Sequence, residues 1–119
     1  MSDPSDVESR RNGLRQLCSL PTGRTNFPLI GGAHRWHPRT VRHPQTMTVF
    51  GDETAWEFIA DCLGSGMEIT YRAPNKPENG DAYELIAPPE GGSKGIYMKV
   101  ALVPGVKKLV GLSFHYERH

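Results

Sequence analysis

The chain has only two cysteines in 119 residues, Cys18 and Cys62. Two isolated thiols form neither a metal-type pair nor the disulfide framework of a small secreted domain. No apolar run approaches the ~18 residues that a membrane span needs, so no membrane partner is expected. The start, MSDPSDVESRRNG, is polar and acidic and lacks the features of a secretory leader. Together these point to a reducing, cytoplasmic setting. Net charge is only +1, low for a nucleic-acid binder. A phosphate-cradling glycine loop is also missing: Gly91-Gly92-Ser93-Lys94 falls between expected strands rather than before a helix, and it reads as a connection. That disfavours nucleotide-dependent chemistry such as ADP-ribosyl transfer.

What is abundant is glycine (13) and proline (10), which predicts many irregular connections. The length suits one domain, residues 1–119, with a modest core. Charge is unevenly distributed. From Arg10 to His43 there are seven arginines and no acidic residue; from Asp52 to Glu90 nine acidic residues face only Arg72 and Lys76. The end is basic again. If the two basic segments meet in space, they make a surface suited to phosphates.

Taken in order, Asp6 to Leu20 predicts an amphipathic helix with Leu14, Leu17 and Cys18 on one side. Gly13 weakens it and Pro21 ends it. About thirty irregular residues follow, in which only Thr46 to Phe50 reads as a short strand. The segment GDETAWEFIADCLGSGM is the clearest helix. Thr54 and Glu57 fit a capping box, Trp56, Ile59, Ala60 and Leu63 form a buried face, and Gly64 and Gly66 close it. Strands are expected at Met67 to Arg72, Ala82 to Ala87, Ile96 to Val103 and Leu109 to Tyr116. The fold class is therefore α+β, with one or two N-terminal helices on a four-stranded, mainly antiparallel meander. A basic helix and loop (1–45) precede the helix-plus-sheet core (46–119).

The last two strands organise the site. Ile96, Met98, Val100 and Leu102 point one way and Tyr97, Lys99 and Ala101 the other; Val110, Leu112, Phe114 and Tyr116 oppose Gly111, Ser113 and His115. A two-residue turn at Pro104-Gly105 sets Lys99 against Val110 and mixes the faces. A one-residue shift, by a longer loop or a bulge, pairs Met98 with Leu112 and Ile96 with Phe114. Tyr97, Lys99, Ser113 and His115 then share one face, bringing together a proton donor, a fixed charge and a group that titrates near neutrality. The same residues also suit a merely solvated sheet face.

The loop before the second helix holds His34, Arg35, Trp36, His37, Arg39, Arg42 and His43. Folded back, it buries Trp36 in the core; opened out, its arginines meet phosphate and Trp36 stacks on a base. A metal held by His34, His37 and His43 lacks a fourth ligand and is repelled by the arginines, so no metal is expected.

Asp81-Ala82-Tyr83, Ile96-Tyr97-Met98-Lys99-Val100 and Leu112-Ser113-Phe114 resemble the RelE-like small ribonuclease toxins, in particular the motility quorum-sensing regulator (MqsR) branch. The resemblance covers about the last forty residues. It implies cofactor-free cleavage of messenger RNA, free or on the ribosome, with a cognate antitoxin as protein partner. It places Tyr97 at a catalytic tyrosine of that branch. The lysine after Ser-Phe is His115 here, and the branch's glutamine has no counterpart near Gly80 to Ala82. RNA carries its own nucleophile, the 2′-hydroxyl, so a base, an acid and positive charge suffice. Tyrosine is a poor base at a reference pKa of ~10. The expected catalytic set is therefore His115 moving the proton, Lys99 on the phosphate charge and Tyr97 orienting it. Arg35, His37, Arg39, Arg72 and Ser113 are expected to bind substrate. The competing expectations are a non-catalytic binding module, such as an immunity or phage accessory protein, and a metal-dependent nuclease.

Overall fold

A computed structural model describes residues 6–25, 35–73, 80–89, 94–103 and 108–117, the side chains of Thr25 and Arg35 excepted. Expectations on His34, on the Pro104-Gly105 turn and on Gly91 to Ser93 lie outside the described residues.

Helix α1 spans Val7–Ser19, and Asp6 caps it by accepting the Ser9 N–H. Leu14 and Cys18, one turn apart, are buried, with Leu17 partly so. Helix α2 spans Asp52–Gly64. Its N-cap is Gly51 rather than Thr54: glycine has no side chain to offer, so half of a capping box forms. Thr54, at the third helical position, accepts the Gly51 N–H at 2.8 Å and satisfies a donor that the helix start leaves orphaned. Ala55, Trp56, Ile59, Ala60 and Leu63 are buried along one side. Gly66 supplies the positive φ (87°) beyond the helix end. The helices pack together, and the Arg11 guanidinium donates to the Leu63 carbonyl at 2.9 Å, satisfying a C-terminal acceptor of α2.

The sheet is an antiparallel meander of β3 (Thr70–Arg72), β4 (Asp81–Ala87), β5 (Ile96–Val103) and β6 (Lys108–Tyr116). The α+β class expected from the sequence is therefore the one observed. The long irregular stretch adds what its periodicity did not announce. Two short segments, β1 (Arg24–Thr25) and β2 (Arg35–Trp36), pair in parallel with the free edge of β6. The strand expected at Thr46 to Phe50 is replaced by a turn, closed by a single bridge between Arg42 and Val49. One sheet face packs under the helices: Tyr83, Leu85, Ile96, Met98 and Phe114 join Ile59 and Leu63 in the core.

The β5–β6 register differs from expectation. Met98 pairs with Phe114 and Ile96 with Tyr116, two residues beyond the expected partners. Nearer the turn the pairing is Ala101 with Val110, and a bulge between Lys99 and Val100 absorbs the difference. Leu112 is the surplus residue. The bulge reverses the alternation, so Val110 does not share a face with Phe114 and Tyr116. Gly111 lies on the helix side, where the Trp36 ring occupies the space of a side chain: a Cβ there meets ring atoms at 2.5 Å.

Candidate functional site

The face away from the helices is crossed by rows of side chains set by pairing. Glu84 lies opposite Lys99, and Lys99 opposite Ser113. The Arg35 backbone pairs beside Ser113. In the adjacent row Ile86 lies opposite Tyr97, and Tyr97 opposite His115. Directly paired side chains sit within reach of one another. Tyr97, Lys99, Ser113 and His115 are thus together as the sequence suggested, although by a different register.

Two contacts organise the cluster. The Tyr97 and His115 rings stack with centroids 5.3 Å apart at 24°. The Tyr97 hydroxyl donates to Glu84 Oε2, and Arg72 Nε donates to Glu84 Oε1 at 2.6 Å. Arg72 is tied to the cluster through this carboxylate, its side chain 62% exposed against 13% for Glu84.

Glu84 was not among the expected residues. The sequence pattern locates its strand, but only the observed register puts it opposite Lys99. Alternation along Ala82 to Ala87, which sends Glu84 to the side of Ile86, was the signal available.

Electrostatics follow from the geometry. Burial pushes the Glu84 carboxyl up, but hydrogen bonds from Tyr97 and Arg72, with the charges of Arg72 and Lys99, outweigh it and hold the carboxyl below its ordinary value. Burial first, and then the bond to a carboxylate, pushes the Tyr97 phenol well above its ordinary value. The hydroxyl stays protonated at any physiological pH. His115 Nδ1 lies 2.8 Å from the Tyr116 carbonyl. A carbonyl only accepts, so Nδ1 carries the proton and Nε2 is left with the lone pair in the neutral ring. That nitrogen can take or return a proton without disturbing the bond that holds the ring.

The loop residues divide. Trp36 is buried, its ring 5.0 Å from Trp56 and 5.6 Å from Phe114, with Nε1 donating to Asp52 at 3.2 Å. The folded-back reading of Trp36 holds, and it faces away from the polar cluster. The His37 N–H bonds to the Phe114 carbonyl at 3.1 Å along the β6 edge, leaving its ring exposed. Arg39 is exposed on the 3-10 turn Pro38–Thr40, and among the described residues no contact ties it to the cluster. His43 is separate from both. Its ring packs on Phe50 and Phe58, and its Nδ1 accepts the Gln45 N–H at 3.0 Å. Among the described residues no three His, Cys, Asp or Glu side chains are grouped to hold a metal. Cys18 and Cys62 are buried, and burial pushes both thiols up to about 12; neither is a nucleophile in the folded protein.

No family model matches this chain, and no curated protein or solved structure matches it either. No helix among the described residues is long and apolar enough to cross a membrane.

Proposed function

We propose that the polar sheet face is the site of a metal-independent endoribonuclease acting on single-stranded RNA. The observation that carries this reading is the stacked Tyr97–His115 pair beside Lys99 and Ser113, with Glu84 linking Tyr97 to Arg72. His115 Nε2 takes the proton of the ribose 2′-hydroxyl as the oxygen attacks phosphorus. It returns that proton to the departing 5′ oxygen as the P–O5′ bond breaks, leaving a 2′,3′-cyclic phosphate and a free 5′-hydroxyl. Lys99 and Arg72 stabilise the charge that grows on the phosphorane oxygens. Because its hydroxyl is committed to Glu84, Tyr97 is a positioning residue that braces the imidazole. The resemblance to RelE-like toxins adds a cognate antitoxin as the expected restraint on such an activity.

A second reading, a binding module without chemistry, is favoured by one observation. Two clefts flank His43 on the helix layer, and a preformed concavity is where a binding partner is usually held.

Long single-stranded RNA, free and on translating ribosomes, is incubated with the protein in EDTA beside folded His115→Ala and Glu84→Gln variants. Cleavage is expected to survive EDTA, to fall at least about a hundredfold in His115→Ala, and to weaken in Glu84→Gln. Unchanged cleavage by a folded His115→Ala protein overturns the assignment. No cleavage of either substrate, with no growth arrest on expression, leaves the binding module.

A further inference from the structure

Two clefts, of about 240 Å³ and about 230 Å³, meet at His43 and share His43, Phe58 and Asp61. They form one groove between α2 and the turn that follows His43. The groove opens on the helix layer, so what it binds is independent of the ribonuclease reading.

Its floor is aromatic and preformed. The rings of His43, Phe50 and Phe58 touch pairwise at centroid distances of 5.5, 5.2 and 5.2 Å. His43 is braced by the backbone N–H groups of Gln45 and Thr46, which donate to its Nδ1. The two lobes differ in character. The first is walled by Glu57 and Asp61, one helical turn apart and both exposed, with hydroxyls of Thr48 and Thr54. The second is lined largely by apolar groups, among them Pro44, Met67, Ala87 and Pro88. Among the described residues no lysine or arginine lines either lobe, and no ion pair engages Glu57 or Asp61.

An acidic wall over an aromatic floor is complementary to an organic cation. A guanidinium suits it best, because its planar fork hydrogen-bonds carboxylates while its face stacks on a ring. The adjoining apolar lobe calls for a second, neutral side chain, which an extended polypeptide supplies and a small cation does not. We propose that this groove docks an extended segment of a partner protein in which an arginine neighbours an apolar residue. The guanidinium lies against Glu57 and Asp61 over Phe58, and the apolar side chain enters the lobe by Met67 and Pro88.

A displayed library of random peptides is panned on the intact protein, and the enriched sequences are synthesised. Enrichment of an arginine beside an apolar residue is expected. Binding should fall at least about tenfold in the double variant Glu57→Lys, Asp61→Lys, whose sites are exposed, and also in Pro88→Glu. Amide signals of His43 and Phe58 should shift on titration with the peptide. The proposal is overturned if no sequence is enriched, or if enriched peptides bind the folded double variant as well as the parent. It is equally overturned if arginine amide alone displaces them at matching concentration, because the site would then be a small-cation pocket.

Discussion

The Tyr97 hydroxyl reaches diagonally across the sheet to Glu84. Tyr97 is paired with Ile86 and Glu84 with Lys99, so the bond between them ties two rows of side chains that strand pairing alone leaves separate. Arg72, on the next strand, closes the other side of the same carboxylate. Most of the electrostatic behaviour of the face depends on this pair.

Acid stability is the first consequence. The Glu84 carboxyl is held below its ordinary value despite burial, so its contribution to stability is present above the unfolded-state value of ~4.3. It is lost as pH falls through the lower folded value. Denaturant unfolding should show a loss of stability below about pH 4.3 that is smaller in Glu84→Gln. An NMR carboxyl titration should move upward in Tyr97→Phe and in Arg72→Ala; an unmoved midpoint in both removes the network.

At the alkaline end the sign reverses. A phenol raised above its ordinary value stabilises the fold fully below the unfolded-state value of ~10 and loses that contribution as pH rises beyond it. Tyr97→Phe should therefore flatten the alkaline limb of the stability profile. In the ultraviolet titration of the folded protein, the substitution should remove a late-ionising tyrosine of the four present.

Gly111 is the notch into which Trp36 fits, and a methyl group there meets the indole at 2.5 Å. The ring is also packed against Trp56 and Phe114, so it has little room to withdraw. Gly111→Ala should cost about 1–3 kcal/mol by overpacking, measured by urea unfolding. A neutral result would mean that the indole moves freely.

Trp36 also decides between two uses of the histidine- and arginine-rich loop. Its indole is part of the core, so Trp36→Phe should lower stability by about 1–3 kcal/mol yet leave single-strand affinity unchanged when compared at equal folded fraction. A selective loss of RNA binding by a folded Trp36→Phe protein would restore base stacking by this residue.

Much of this was legible in the chain. The periodicity of Trp56, Ile59, Ala60 and Leu63 located α2, and period-two alternation located β5 and most of β4 and β6, because those segments bury one face. The helix cap moved from Thr54 to Gly51 because a threonine three residues into a helix can reach back to the N-cap N–H as readily as it can serve as the cap. The short β1 and β2 were not legible. Two-residue segments on a parallel edge carry no periodicity, and their pairing with β6 is a tertiary fact. The site was half legible. Alternation put Tyr97 with Lys99 and Ser113 with His115, but joining Glu84 to them needed the register between strands. That register was misjudged by two residues because Val110, Leu112, Phe114 and Tyr116 imitate an unbroken apolar face.

The bulge has a consequence for how this sequence can change over generations. On either side of Leu112 the strand already faces as it must, with Gly111 toward Trp36 on one side and Ser113 and His115 toward the polar cluster on the other. Loss of the Leu112 codon turns the bulge into a regular ladder and leaves both halves with their present orientation, whereas loss of a codon elsewhere in β6 with the bulge retained flips the residues on one side of the gap. The strand thus carries one spare residue as tolerance to deletion, placed beside the cluster whose composition most depends on which way each side chain faces.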